Sequence, residues 1–492
     1  MPKDRPNVII ICSDTYRPDH IAANGHPWIK TPELDEFVEK TINFEGGTVS
    51  SFPTIPMRTD WLAGRFSHPR HGWRDLDPKA ITMPQILSKE GYTTQLIADT
   101  THLLRSKFWQ AYDHFHFERG HEGDRPFSRL NTPIEDTVTD RRKTRIDRGN
   151  HGDRPAIVDV HKHTNFRQHY EEECHVARLS DVACRWVEDN HKGGPFFLWV
   201  DSFDVHEPWT PPEYIVRKYD PSYDGEPMMH PNYDSSDIYS PEELKNLHAH
   251  YAGECTMASK HIGRVLRIIE DTRLMENTIV LFTSDHGMYV GERGRTGKSA
   301  ITPDAFDVFP FYREIANICW SMHVPQSLAN GVLPPGTRMP QIAQAPDVLP
   351  TVLELCGIEQ PKESDIEGIS LVPWITGQRS DQTREIAITT WTAMTHHSRK
   401  TTKCRRPTVT DGTWTLLIKE PPDEGPPELY NVADDPNQTT DLISEHKDEA
   451  KRLHTLMLDW LESHEAGSSA LERLSAPNVG LTSCCTPTIP RI

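Results

Sequence analysis

The sequence predicts an α/β protein, a large, mostly parallel sheet sandwiched by helices with a smaller C-terminal α+β subdomain. Three observations lead there. Short β-branched apolar runs end in acidic residues, amphipathic helical segments alternate with those runs, and the alternation changes after Pro373-Trp374. A chain of 492 residues can bury the large core such a sheet needs.

The first strand is Asn7–Ser13, an apolar run of the kind buried on both faces, and it delivers Asp14. Next, Pro56 just inside a helix start and Gly64 near its end are the expected helix punctuation. Thr54 then lies at the helix N-terminus, where exposed N–H groups and the dipole favour an alkoxide and an incoming oxyanion. Arg58, one turn on, projects from the same face. Taken alone, the pair also reads as a capping threonine and a surface arginine.

Further strands are read at residues 95–98 and 195–201. Residues 118–167 are charged with little apolar periodicity and read as a solvated excursion loop over the sheet. Ile262, Val265, Leu266 and Ile269 fall at i, i+3, i+4 and i+7, one face of a helix. That helix feeds a strand at 278–282, which runs into Asp285-His286-Gly287. The carboxyl end of a parallel strand is where open sheets bind ligands. One acidic strand end is an ordinary turn as readily as a site; two, both with metal-type donors, point to a metal-dependent enzyme. A helix at 347–355 is stopped by Gly357.

Residues 376–474 read as the α+β subdomain, with a strand at 414–419 and a last helix at 451–463. The tail from 475 to 492 is polar, either disordered or an arm through which a homo-oligomer would form.

Composition narrows the function. A net charge of -19 argues against nucleic-acid binding, while local cations can still hold an anionic substrate. No run is long and apolar enough for a membrane span. The first strand starts almost at the initiator Met, so a cytoplasmic location is expected. Nine scattered cysteines without a CxxC pair indicate neither a zinc ribbon nor a disulfide framework.

In order, Asp14, Thr54-Ile55-Pro56-Met57-Arg58 with Gly64-Arg65, Asp285-His286-Gly287 and Lys298 resemble the sulfatases of the alkaline phosphatase superfamily. Pro69-Arg70-His71-Gly72, Gly91-Tyr92-Thr93-Thr94, Phe203-Asp204-Val205-His206-Glu207-Pro208-Trp209 and Glu428-Leu429-Tyr430-Asn431 with Asp435-Pro436 support it. The likeness runs from about Pro6 to Leu461 outside the insertion. It implies an alkaline phosphatase-like catalytic domain over residues 1–375 and a small anionic ester as substrate. It also implies one divalent metal ion held by Asp14, Thr54, Asp285 and His286. Oxygen donors with one imidazole suit manganese, zinc or magnesium, with calcium the sulfatase-like choice. Thr54 would be the nucleophile, Arg58 would stabilise its alkoxide, and Lys298 would neutralise the transferred group. His206 would protonate the leaving oxygen, with His102 close by.

Three departures from the sulfatase pattern matter. Sulfatases carry Cys or Ser at the position of Thr54, oxidised to formylglycine, and threonine is no substrate for that conversion. Thr100 stands where a lysine is typical, and Thr15 where many sulfatases place a second metal-binding aspartate. Each departure shifts the expectation from sulfate towards phosphodiesters or phosphonate monoesters. A two-metal site would need further ligands, for which only Asp201, Asp204, His206 and His396-His397 are candidates. The alternatives are a sulfatase working without formylglycine and a catalytically inactive binding protein on the same fold. The intact set of Asp14, Asp285, His286, Arg58 and Lys298 argues against the latter.

Overall fold

A computed structural model describes residues 5–129, 131–146, 155–301, 306–329, 331–392, 403–420 and 425–475. The His396-His397 pair and the tail beyond Ser475 lie outside the described residues.

The strands that position the site are, in chain order, β1 (Asn7–Ser13), β2 (Ile42–Gly47), β3 (Ser51–Phe52), β4 (Thr93–Ala98), β5 (His114–Phe117), β6 (Phe196–Ser202) and β7 (Thr278–Thr283). They continue with β8 (Trp320–His323), β9 (Arg338–Ala343), β10 (Ala387–Trp391), β11 (Arg405–Thr410), β12 (Trp414–Leu417) and β13 (Glu428–Asn431). Eight of them form the main sheet in the order β9-β2-β8-β7-β1-β6-β4-β5. All neighbours are parallel except β8, which runs antiparallel to both β7 and β2.

Every residue of β1, β6 and β7 is buried, which is why these strands read as continuous apolar runs. Alternate residues of β1 point to opposite faces. Val8, Ile10 and Cys12 pack with Ile55, Trp61, Ile86 and Leu349 from the helices Thr54–Ala63, Met83–Lys89 and Val348–Leu355. Ile9 and Ile11 pack instead with Leu34, Leu179 and Ile262 from the helices Pro32–Glu39, His175–Asn190 and Pro241–Asp271. The last is 31 residues long, and Ser240 with Glu243 closes a capping box at its start.

A second sheet, β13-β12-β11-β10-β3, packs Val409 and Leu416 against Leu453, Met457 and Leu461 of the helix Lys447–Ser463. Its edge strand β3 comes from the N-terminal half, with Ser51 paired to Thr390 of β10. The small sheet therefore holds the chain immediately before Thr54. Among the described residues no helix is long and apolar enough to cross a membrane.

The sequence expectation for residues 118–167 is corrected. This segment carries a helix at Ile157–Thr164 with Ile157, Val158 and Val160 buried, and it also buries His121, Glu122, Asp124 and His161. Much of its polarity is satisfied by partners: Asp124 accepts from Arg119 at 2.8 and 2.6 Å, and His121 meets Asp204 at 2.6 Å. Apolar periodicity does not register burial of that kind.

Candidate active site

Strands β1, β6 and β7 lie side by side, with Cys12 in register with Asp201 on one flank and Thr283 on the other. Their carboxyl ends deliver three buried aspartates, Asp14, Asp201 and Asp285. The Asp14 N–H donates to the Ser202 carbonyl at 2.9 Å, extending the β1–β6 pairing to the site residue itself.

Asp14, Asp285 and His286 bring one donor atom each within 4.8 Å of one another. The His286 imidazole Nδ1 faces the Gly287 carbonyl at 3.1 Å, so Nδ1 carries the proton and Nε2 presents a lone pair. That Nε2 is buried with no hydrogen-bond partner, and Oδ2 of Asp14 is buried with no well-aligned hydrogen bond, its charge facing Arg58 Nη2 at 3.1 Å. A buried imidazole lone pair without a partner is rare in folded proteins, and a cation held between it and the two carboxylates would satisfy it. Burial and the neighbouring Asp285 push the Asp14 carboxyl well above its ordinary range. Against the cost of burial, His286 and Arg58 hold Asp285 below it. Burial also takes His286 down to about 4, keeping the imidazole neutral as a ligand must be. The donor set thus fits a divalent cation.

Arg58 is 1% exposed and sits among all three aspartates. Its Nε and Nη2 each donate to Asp201 at 2.9 Å, its Nη1 donates to Asp285 at 2.5 Å, and Nη2 stands 3.1 Å from Asp14. Asp201 also accepts from the Trp199 indole at 3.0 Å and from the Thr100 hydroxyl. With both oxygens so engaged, Asp201 is a partner for Arg58. Three carboxylates face two cations, Arg58 and Lys298. A divalent ion would turn that net negative centre positive, as an anionic ester requires.

Thr54 opens the helix Thr54–Ala63 and is 3% exposed. The helix closes at Gly64, whose φ of 65° is the left-handed cap that glycine favours. Arg58 Nη1, besides holding Asp285, donates to the Thr54 carbonyl at 3.3 Å, so one nitrogen ties nucleophile candidate to metal ligand. Phe52 packs its ring on His286 with centroids 4.8 Å apart. Arg58 therefore reaches Thr54 through the backbone, while the rest of its guanidinium organises carboxylates.

Thr15 adopts φ 61°, a left-handed conformation unusual for a β-branched residue. It lets the Thr15 N–H donate to Asp285 at 2.9 Å while its hydroxyl donates to Asp14 at 2.7 Å. Lys298 Nζ donates to the same hydroxyl at 3.0 Å. Where many sulfatases have a second acidic ligand, this chain has a bridge that docks Lys298 beside Asp14.

His206 is buried, stacked on Phe203 at 4.1 Å, and its Nδ1 faces the Glu207 carbonyl at 2.8 Å. Burial lowers its pKa well below the ordinary value, opposed by Glu207 and helped by Lys298. Tyr233 donates its hydroxyl to Glu207. Its ring lies so close over Gly297 that a Cβ there would meet Cγ at 2.8 Å, which explains a glycine before Lys298. His102 stands edge-on to Phe203 at 5.6 Å and to Trp73 at 4.9 Å. His71 lies elsewhere, lining a surface cavity with Arg65, Arg70 and Arg74. Asp204 is taken by His121 and by the Val176 N–H at 2.8 Å.

Sequence reasoning missed Glu207, Tyr233, Glu122 and Arg145, all of which stand around His206 and His102. Only Glu207 left a signal, as the neighbour of His206 in a quoted motif.

The sheet order and the strand-end donors define an α/β protein with a candidate metal site at the carboxyl edge of its main sheet. A family model described as Sulfatase matches residues 6–358. The arylsulfatase of Clostridium perfringens is 25% identical over 492 aligned residues, covering 94% of this chain and 96% of that protein. The multifunctional alkaline phosphatase superfamily protein PehA of Trinickia caryophylli is 23% identical over 431 residues, covering 78% and 79%. Among solved structures, the phosphonate monoester hydrolase of Agrobacterium radiobacter has a TM-score of 0.68 at 19% identity, over 94% of this chain and 96% of that one. A protein solved with its substrate D-glucosamine-2-N,6-O-disulfate has a TM-score of 0.69 at 18% identity, over 94% and 99%. The chain belongs to the sulfatase family and is a sulfatase-like ester hydrolase. Enzymes of this family use a divalent metal ion.

Proposed function

We propose that this protein hydrolyses phosphate esters, phosphodiesters or phosphonate monoesters above all, through an unmodified Thr54. The observation that carries this reading is Thr54 itself, buried at the first turn of its helix with its carbonyl on the nitrogen that holds Asp285. Asp14, Asp285 and His286, with the Thr54 hydroxyl, would hold one divalent ion, with manganese, zinc or magnesium favoured by the donor set over calcium. When bound, it polarises the ester oxygen and lowers the pKa of the Thr54 hydroxyl.

The helix N-terminus and Lys298 face the transferred group and offset its negative charge. Thr54 gives up its hydroxyl proton to solvent, and its oxygen forms a bond to phosphorus as the bond to the leaving oxygen breaks. His206 donates a proton to that oxygen from Nε2, since Nδ1 is committed to the Glu207 carbonyl. An arriving anionic ester favours the imidazolium that burial alone disfavours. In the second half, water attacks phosphorus and gives one proton to His206 as the bond from phosphorus to the Thr54 oxygen breaks, and Thr54 regains from solvent the proton it gave up. Arg58 holds the aspartates in place throughout.

Sulfate ester hydrolysis is the second reading, favoured by the arylsulfatase relatives. A formylglycine sulfate collapses by elimination, an exit that a sulfo-threonine lacks. Steady-state rates on nitrophenyl sulfate, phosphate, bis-nitrophenyl phosphate and nitrophenyl phenylphosphonate, with metal-stripped and metal-restored protein, test the choice. Faster multiple turnover on the diester or phosphonate supports the proposal, and faster sulfate turnover without a burst overturns it.

A further inference from the structure

The insertion contributes two charged groups at the His102 edge of the site. Arg145 Nη1 donates to Glu122 Oε1 at 2.7 Å, and Glu122 Oε2 faces His102 Nε2 at 3.5 Å. Glu122 is 8% exposed and has a φ of 53°, a left-handed conformation unfavourable for a non-glycine residue. Strain in a buried charged residue that faces His102 points to a positioning role. On one side of Glu122, His121 is fixed to Asp204 at 2.6 Å. On the other, the Arg145 carbonyl accepts the Ile157 N–H at 3.0 Å, and the guanidinium lies 5.5 Å above the Tyr233 ring. Against the cost of burial, Arg145 and His102 hold the Glu122 carboxyl well below its ordinary range, so it stays charged.

We propose that Glu122, locked by Arg145, is a positioning residue that orients His102 towards the leaving group, fitting the enzyme to esters of poorly leaving alkyl alcohols. His102 and His206 share Phe203, whose ring stacks on the second and meets the first edge-on, so both imidazoles flank one apolar wall. A nitrophenolate departs without a proton, whereas an alkoxide needs one delivered in the transition state. An oriented second imidazole matters only for the latter. This inference rests on the ester hydrolase reading above, but not on whether phosphorus or sulfur is transferred.

The test uses the full-length, metal-loaded protein and matched alkyl and nitrophenyl esters of whichever acid the wild type turns over faster. Glu122→Gln, near in shape but uncharged, should lower kcat on the alkyl ester roughly tenfold more than on the nitrophenyl ester, the size typical of losing a supporting carboxylate. KM should move little for either. Arg145→Lys should give the same pattern with a smaller loss. In a His102→Gln background Glu122→Gln should add almost nothing, because the two act as a unit. Equal loss on both esters, or a full additional loss in the His102→Gln background, overturns the proposal. A preference of the wild type for sulfate overturns the phosphate reading alone, and the leaving-group comparison is then read on sulfates.

Discussion

Arg58 binds Asp201 through two parallel bonds of 2.9 Å, Nε to Oδ2 and Nη2 to Oδ1, with both side chains buried. This fork leaves Nη1 aimed at Asp285 and the Thr54 carbonyl, so the β6 aspartate sets the position of the β7 aspartate and of the nucleophile.

Arg58→Lys should therefore be a severe change despite keeping the charge. An ammonium cannot span Asp201 and Asp285 together, and each lost charged hydrogen bond is worth about 1.5–3 kcal/mol. Urea unfolding should show a loss of about 2–3 kcal/mol, accompanied by weakened metal retention. Wild-type stability in the variant would show that the fork is not what organises the aspartates.

Metal content should follow the β1 and β7 ends. Protein purified without chelators is expected to carry about one divalent ion per chain by elemental analysis. Asp285→Asn should lose it, because Asp14 is then the one charged donor left, beside the neutral His286 and the Thr54 hydroxyl. Asp201→Asn should retain more metal than Asp285→Asn, since Asp201 engages Arg58, Thr100 and Trp199. Equal loss in both variants would reassign Asp201 as a ligand.

Stability should fall in mild acid. Burial lowers His68 and His161 to about 3, so both fold as neutral imidazoles. The unfolded chain binds protons below about 6.5, which makes their contribution fully present above that pH and progressively lost as pH falls towards 3. Each is worth about 1.4 kcal/mol per pH unit in that window. The urea midpoint should drop between pH 8 and pH 5, and His68→Gln should reduce the drop in unfolding free energy by about 2 kcal/mol. An unchanged pH dependence in that variant would show that His68 does not titrate on unfolding.

The residues that announced themselves in the sequence were those whose burial is apolar or whose position is punctuated. β1 and β7 were legible because their interiors are unbroken Ile, Val, Leu and Phe, and the acidic residue at each end stood out against them. Thr54 was legible through Pro56 and Gly64. By contrast β8, only four residues long with a serine and a histidine, gave no strand signal, and its antiparallel pairing with β7 is written in no local pattern. The strand β3 is two residues long and exists through its pairing with β10, a contact no local pattern encodes. Glu122 and Arg145 were missed because a buried ion pair looks, in one dimension, like a solvated surface.

The chemistry of Thr54 is best tested by rapid acid quench during turnover of a phosphodiester or phosphonate monoester, followed by peptide mass analysis. The proposed mechanism predicts an unmodified threonine in the resting enzyme and, during turnover, the mass increment of one phosphoryl or phosphonyl ester on Thr54. Thr54→Ala should abolish that increment and lower kcat by several orders of magnitude. Turnover near the wild-type rate in Thr54→Ala, or an ester found on another residue, would contradict a threonine nucleophile.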